Sequence, residues 1–204
     1  MSGTASPTSI HSQVLRFMRA KPAGVPLSVT EFPARFQRHK AALHQALSRL
    51  VRAGELTRVM RGIYMVPVNT IFGDAPPPVH SVIKAYAHLH HLQVGVHGAV
   101  VVNELGLSTQ VPGVTLYNAP IQGRRVFNLP AGRAVLTHAP KHVLAAVGTP
   151  AEPLVAGLSY LGRRQAGLAS VLVARLGEAA RAAAQELHLP RWMHRTLMAA
   201  PATA

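Results

Sequence analysis

Residues 39 to 54, HKAALHQALSRLVRAG, determine the fold of the N-terminal part of this chain. Leu43, Leu47 and Leu50 recur at the spacing of one face of an α-helix. Gly54 follows the last residue of this pattern, and glycine commonly follows the end of a helix. The segment therefore predicts a helix over residues 39–53 with a buried leucine face. The opposite face is polar and contains no acidic residue: Ala41, His44, Gln45, Ser48, Arg49 and Arg52.

Two further helices are predicted before this segment. Apolar residues at helical spacing indicate the first helix over residues 9–20. Ser28 and Glu31 have the spacing of a capping box, in which each residue bonds the backbone of the other, so a short second helix is predicted to begin there.

A β-hairpin is predicted directly after the central helix. Residues 55–60 and 63–66 have the composition of strands and meet at a turn, Arg61-Gly62. Three helices followed by a hairpin are the order of a winged helix-turn-helix, which we expect for residues 1–70. Arg58 and Arg61 would then lie near the tip of the wing, where arginine can reach a minor groove or flanking phosphates.

The polar face of the central helix has side chains suited to the major groove of double-stranded DNA. Arginine can donate two hydrogen bonds to guanine, glutamine can pair with adenine, and a small residue lets the backbone approach. An ordinary solvated helix is the alternative, but a merely soluble surface usually mixes both signs of charge. The residues that we predict to contact DNA are Lys40, His44, Gln45, Ser48, Arg49, Arg52, Arg58 and Arg61.

The charge of the chain also points to a polyanionic partner. The 204 residues contain 21 Lys and Arg against 7 Asp and Glu, a formal net charge of +14. Such a surplus suits nucleic acid or an anionic membrane. No stretch approaches the ~20 apolar residues that span a bilayer, the residues before Ile10 have no signal-peptide pattern, and there is no cysteine. We therefore expect a cytoplasmic, nucleoid-associated protein that binds DNA rather than a membrane.

The prolines at 76–78 predict a boundary, because three consecutive prolines interrupt both helices and central strands. A second domain is expected over residues 76–198. Its pattern is that of a mixed α+β domain with a helical C-terminal end. Helix is predicted at 79–91, 153–161, 167–176, 178–187 and after Pro190, and strand at 94–98, 114–118, 124–129 and 134–138.

Four segments of the chain carry a family resemblance. Two lie in the first domain, Ala46 to Leu56, ALSRLVRAGEL, and Arg61 to Pro67, RGIYMVP. Two lie in the second domain, Asn103 to Pro112, NELGLSTQVP, and Tyr160 to Gly162. Together these segments resemble AbiEi-type antitoxins. The resemblance covers most of residues 10–176, and the NELGLSTQVP string is its most specific part.

This resemblance implies a winged helix joined to an antitoxin domain. Such antitoxins repress their own operon and oppose a nucleotidyltransferase toxin in a type IV abortive-infection system, so that toxin is the implied functional partner. His97 departs from the family, whose members tend to have a small polar residue before Gly98. The polar turn Ser108-Thr109-Gln110 is interpreted either as a turn that shapes the domain or as a partner contact.

Catalysis and a cofactor are not expected. Only seven carboxylates exist, Asp74 is the sole aspartate, and no acid–base pair or glycine-rich phosphate loop is recognisable. His80, Lys84, His88 and His91 share one face of a predicted helix. His88 and His91 have a spacing that can ligate a metal, but no Glu or Asp lies on that helix, so we favour ordinary surface histidines.

A second basic region lies in the C-terminal half of the sequence. It could bind phosphates of bent DNA or an acidic protein, or it could be a solvated surface. Two alternatives to the antitoxin hypothesis follow, a stand-alone regulator without a toxin and a protein-interaction module that uses this basic half. The residues are Arg163, Arg164, Arg175, Arg181, Arg191 and Arg195.

Overall fold

The helix predicted from the leucine pattern is present as the central helix of the first half. In the computed structural model, which describes residues 9–109 and 113–199, it runs from Lys40 to Arg52 and is called α3. Leu43, Leu47 and Leu50 are buried. Gly54 follows the helix with a φ of +73°, a left-handed conformation that suits glycine.

Two helices precede α3, and a three-stranded antiparallel sheet packs with them in the first half of the chain. The hydrophobic core lies between α1, α3 and the sheet, and Phe17, Phe32 and Phe36 form an aromatic cluster with ring centroids 4.9–6.1 Å apart. The sheet order is β1-β3-β2. The bounds are α1 Ile10–Arg19, α2 Ala34–Gln37, β1 Leu27–Ser28, β2 Thr57–Met60 and β3 Ile63–Met65.

The second helix forms in two pieces rather than in one. The Ser28 backbone N–H donates to Glu31 Oε2 at 2.7 Å, as the capping box predicts, but the turn that it opens, Val29–Glu31, is a 3-10 helix. Phe32 is then extended, because the residue before a proline disfavours helical backbone. The α-helix α2 begins only after Pro33.

The chain does not divide at the proline run. After a small hairpin, β4 (Asn69–Thr70) and β5 (Gly73–Asp74), helix α4 (Val79–His90) packs with its apolar side against β1, the 3-10 helix and β3. Because that face is buried on the first core, the chain separates into two compact units between His91 and Leu92. The division therefore comes one helix later than the expected boundary between residues 70 and 76.

The second unit is built on a four-stranded sheet of order β6-β7-β9-β8. Strands β7 and β9 are parallel, and the other two pairings are antiparallel. The four strand segments predicted for this half are present, and together with the helices they give the expected mixed α+β class. The bounds are β6 Gly95–Val96, β7 Thr115–Ala119, β8 Arg124–Leu129 and β9 Gly132–His138.

Helix α7 (Glu152–Leu161), whose Leu154, Val155 and Leu158 are fully buried, packs against three other helices of the second unit, α5, α6 and α8. The predicted break between two C-terminal helices is confirmed by Gly177, which interrupts α8 with φ 78° and ψ 178°. Helix α6 was not expected. The bounds are α5 Gly98–Glu104, α6 Lys141–Ala146, α7 Glu152–Leu161, α8 Ala166–Gln185 and α9 Arg191–Ala199.

Some sequence predictions fall outside the described residues. Gln110, at the end of the polar turn, and Pro112 lie there, as does the tail after Ala199. Among the described residues, no helix combines the length and apolarity needed to cross a bilayer.

Candidate nucleic-acid interface

The buried leucines of α3 determine which of its side chains face outward. With Leu43, Leu47 and Leu50 in the core, the opposite side of the helix is turned away from it. All of the α3 residues predicted to contact DNA are exposed. They are Lys40, His44, Gln45, Ser48, Arg49 and Arg52.

The hairpin beside α3 is short and its turn is fixed. Gly62 has a φ of +80°, and its carbonyl accepts a hydrogen bond from the Val29 N–H at 2.9 Å. Register shifts between Arg58 and Met60, so β2 is irregular just before the turn. Arg58 and Arg61, the two predicted wing residues, are both exposed.

A cleft of about 750 Å³ joins part of this helix face to the hairpin. His44 and Ser48 form one wall and Arg58 and Arg61 another. The structure thus brings together four of the eight predicted residues. The remaining four, Lys40, Gln45, Arg49 and Arg52, are exposed on α3 outside this cleft.

The third wall of the cleft comes from the end of α4, a helix that contains none of the residues predicted to contact DNA. Tyr86, Leu89 and His90 line it. The Tyr86 and His90 rings contact each other, with centroids 4.3 Å apart. Only the tertiary packing of α4 brings these residues beside α3, so no local pattern in the sequence could have identified them.

Contacts with the 3-10 helix and the hairpin hold the last turn of α4. The Thr30 hydroxyl donates to the His88 carbonyl at 3.2 Å, and Glu31 Oε1 lies 3.1 Å from His88 Nδ1. Leu89 packs against the hairpin turn, because a Cβ built on Gly62 would lie 3.1 Å from a Leu89 methyl carbon. The position of α4 is therefore coupled to the capping box and to the hairpin turn.

The charged side chains that line this cleft are basic. No carboxylate is among the described residues that line the cleft. Glu31 faces Ser28 and His88, and Glu55 pairs with Arg19 at 2.5 Å. Because these two acids have partners elsewhere, they do not neutralise the exposed basic residues of α3.

The histidines of α4 do not form a ligand set. His80 Nε2 lies 3.2 Å from Ser81 Oγ, and His88 faces Glu31. Within residues 9–109 and 113–199, no group of three His, Cys, Asp or Glu side chains is arranged to hold a metal ion.

The basic residues of the C-terminal half have different surroundings. Arg175 donates to the Leu105 carbonyl, and Arg181, largely buried, lies 3.9 Å from Glu178. Arg163, Arg164, Arg191 and Arg195 are exposed. Two of the six residues of this region therefore contribute to the packing of their own unit.

His97 has a structural role at the start of α5. It is the N-cap of α5, and its Nδ1 accepts a hydrogen bond from the Ala99 N–H at 3.2 Å. Burial lowers the pKa of His97, which favours the neutral ring that this bond requires. Gly98 follows because a Cβ there would lie 2.1 Å from the Ala156 carbonyl oxygen of α7.

Comparison with known proteins gives one family match. The sequence model of a family described as a family of unknown function (DUF6088) matches residues 13–164, from α1 to just beyond α7. No curated protein and no solved structure matches the chain.

Proposed function

The chain belongs to the DUF6088 family of unknown function, and within that family we propose that it is a DNA-binding transcriptional repressor. Its first unit is a winged helix-turn-helix that binds the operator of its own operon. The protein acts as the antitoxin of a type IV toxin–antitoxin system and opposes a nucleotidyltransferase toxin. It is a regulator and not an enzyme.

The observation that carries DNA binding is the exposed face of α3. This face presents arginine, glutamine, histidine and serine without an acid, and Arg58 and Arg61 flank it across the cleft. Cations meet phosphates, and the glutamine and arginine side chains can read base edges. Strand β1, which pairs with β3 of the hairpin, supports the winged-helix assignment.

Repression of a reporter tests this function directly. The reporter carries the DNA upstream of the gene that encodes this chain, and the full chain is supplied in trans. We expect repression by the natural chain and its loss when Arg49 and Arg52 are both changed to Ala, because both side chains lie on the exposed face of α3. Equal repression by the natural chain and the double variant would reject α3 as the recognition helix.

The antitoxin role rests on the resemblance of residues 10–176 and is assigned to the second unit. Its test is growth on co-expression with a neighbouring nucleotidyltransferase gene. Because α4 packs on the first core, the halves are separated between His91 and Leu92, and the folding of each is checked by circular dichroism. Residues 92–204 should protect the cells without repressing the reporter. DNA binding without protection by the full chain would identify a stand-alone regulator instead.

A further inference from the structure

The hairpin beside α3 is too short to act as a free wing. Its strands have four and three residues, and the turn between them is Arg61-Gly62. Instead of extending outward, this turn packs against Leu89 of α4. A wing inserts its tip into a groove or along phosphates, so part of that contact surface here must come from α4.

The C-terminal end of α4 is suited to supply this part of the contact surface. His90 is exposed, lines the cleft, and is supported by the ring of the buried Tyr86 at 4.3 Å. It shares the cleft with His44, Arg58 and Arg61. Four nitrogen-rich side chains from three elements therefore surround one open space.

We propose that this cleft holds a DNA backbone strand, and that His90 donates to a phosphate together with Arg58 and Arg61. The inference rests on the proposed DNA binding and assigns α4 to the interface. The cleft has the chemistry of a phosphate site, since its donors are cationic or neutral and no carboxylate of the described residues lines it. A contact to phosphate positions the protein but reads no sequence.

The test compares two charge substitutions on α4 of the full chain. His90→Arg adds a permanent cation at the cleft, and His80→Arg adds the same cation in the first turn of the helix. The two positions lie about 15 Å apart along the axis, which exceeds the Debye length of about 8 Å at 0.15 M salt. His80→Arg is therefore a matched control for net charge.

The measurement is the dissociation constant for two duplexes, the upstream DNA and a random sequence of equal length, over a series of salt concentrations. We expect His90→Arg to tighten both duplexes by the same factor and to steepen the plot of log K against log salt by about 0.9, the value for one phosphate contact. His90→Glu should weaken both duplexes equally, by roughly tenfold. His80→Arg should leave the slope unchanged.

The possible outcomes separate this inference from the proposed function. If the natural chain binds DNA and the two arginine variants behave alike, α4 is outside the interface and only the inference fails. If the natural chain binds neither duplex, the proposed DNA binding and the inference about α4 both fail. Since His90 contacts Tyr86, thermal melts establish that each variant is folded, and the gain expected for His90→Arg cannot arise from unfolding.

Discussion

Single residues on α3 should divide into those that read sequence and those that anchor the helix. We predict that Gln45→Ala and Arg52→Ala reduce the discrimination between upstream and random DNA, by about 1–3 kcal/mol each, because base-edge contacts carry specificity. Lys40→Ala, near the start of the helix, should weaken both duplexes similarly. Competition binding measures the three variants, and the same loss of discrimination in all three would show that the helix face is wrongly assigned.

Gly62 combines a conformational and a packing requirement. Its φ of +80° costs other residues about 1–2 kcal/mol, and an added Cβ would lie 3.1 Å from Leu89. Gly54 has a similar φ of +73° but open space around it. We predict that both alanine variants lower the free energy of unfolding, Gly62→Ala more so, and that only Gly62→Ala weakens DNA binding. Chemical denaturation measures the free energy of unfolding, and DNA titration measures the affinity. Indistinguishable values for the two variants would contradict the prediction.

His97 makes the stability of the second unit depend on pH. Burial lowers its pKa from the ordinary 6.5, so the unfolded chain binds a proton more readily than the folded one. The stability is full above about pH 6.5 and falls as the pH drops towards the lowered value. Protonation would also remove the Nδ1 lone pair that accepts from Ala99.

The corresponding measurement follows thermal unfolding by the fluorescence of Trp192, the one tryptophan of the chain. We predict a lower midpoint at acidic pH than at neutral pH, and a smaller difference for His97→Gln. Some difference remains because burial also lowers the pKa of His142. The exposed His188→Gln is the control, and a pH effect that His97→Gln leaves unchanged would contradict the assignment.

Helices α5 and α7 approach each other closely at Gly98. A Cβ on Gly98 would lie 2.1 Å from the Ala156 carbonyl oxygen and 2.5 Å from Tyr160 Cβ. We predict that Gly98→Ala destabilises the second unit by about 1–3 kcal/mol, the usual cost of overpacking. The control is Gly167→Ala, where nothing lies within 4 Å. Denaturant unfolding followed at Trp192 measures both, and equal midpoints would show that α5 can shift freely.

Helices and strands with a regular local pattern could be predicted from the sequence. Elements that form only by pairing with residues far along the chain could not. The leucines of α3 and the glycine at 177 mark their helices locally. By contrast, the Leu27–Ser28 strand is too short to have a period and exists through its pairing with Tyr64 and Ile63. Pro33 divides the second helix, a local effect that the capping box alone does not reveal.

At the scale of the molecule, the sequence indicated two units but placed their boundary too early. Prolines 76–78 do interrupt the chain, yet Val82, Ile83 and Tyr86 of the next helix are buried on the first core. The same docking makes α4 a wall of the candidate site. The exposed residues of α3 were predictable from periodicity and those of the hairpin from its strand composition and its Arg61-Gly62 turn, whereas His90 enters the site only through this long-range packing.

Specific DNA binding by the whole chain is measured by the ratio of two dissociation constants. Fluorescence anisotropy compares the DNA upstream of its gene with a shuffled duplex of the same composition at about 150 mM salt, because affinities have meaning only at a stated salt concentration. We predict that the upstream duplex binds at least about 10³-fold more tightly. Equal affinity for the two duplexes would contradict specific DNA binding by this chain.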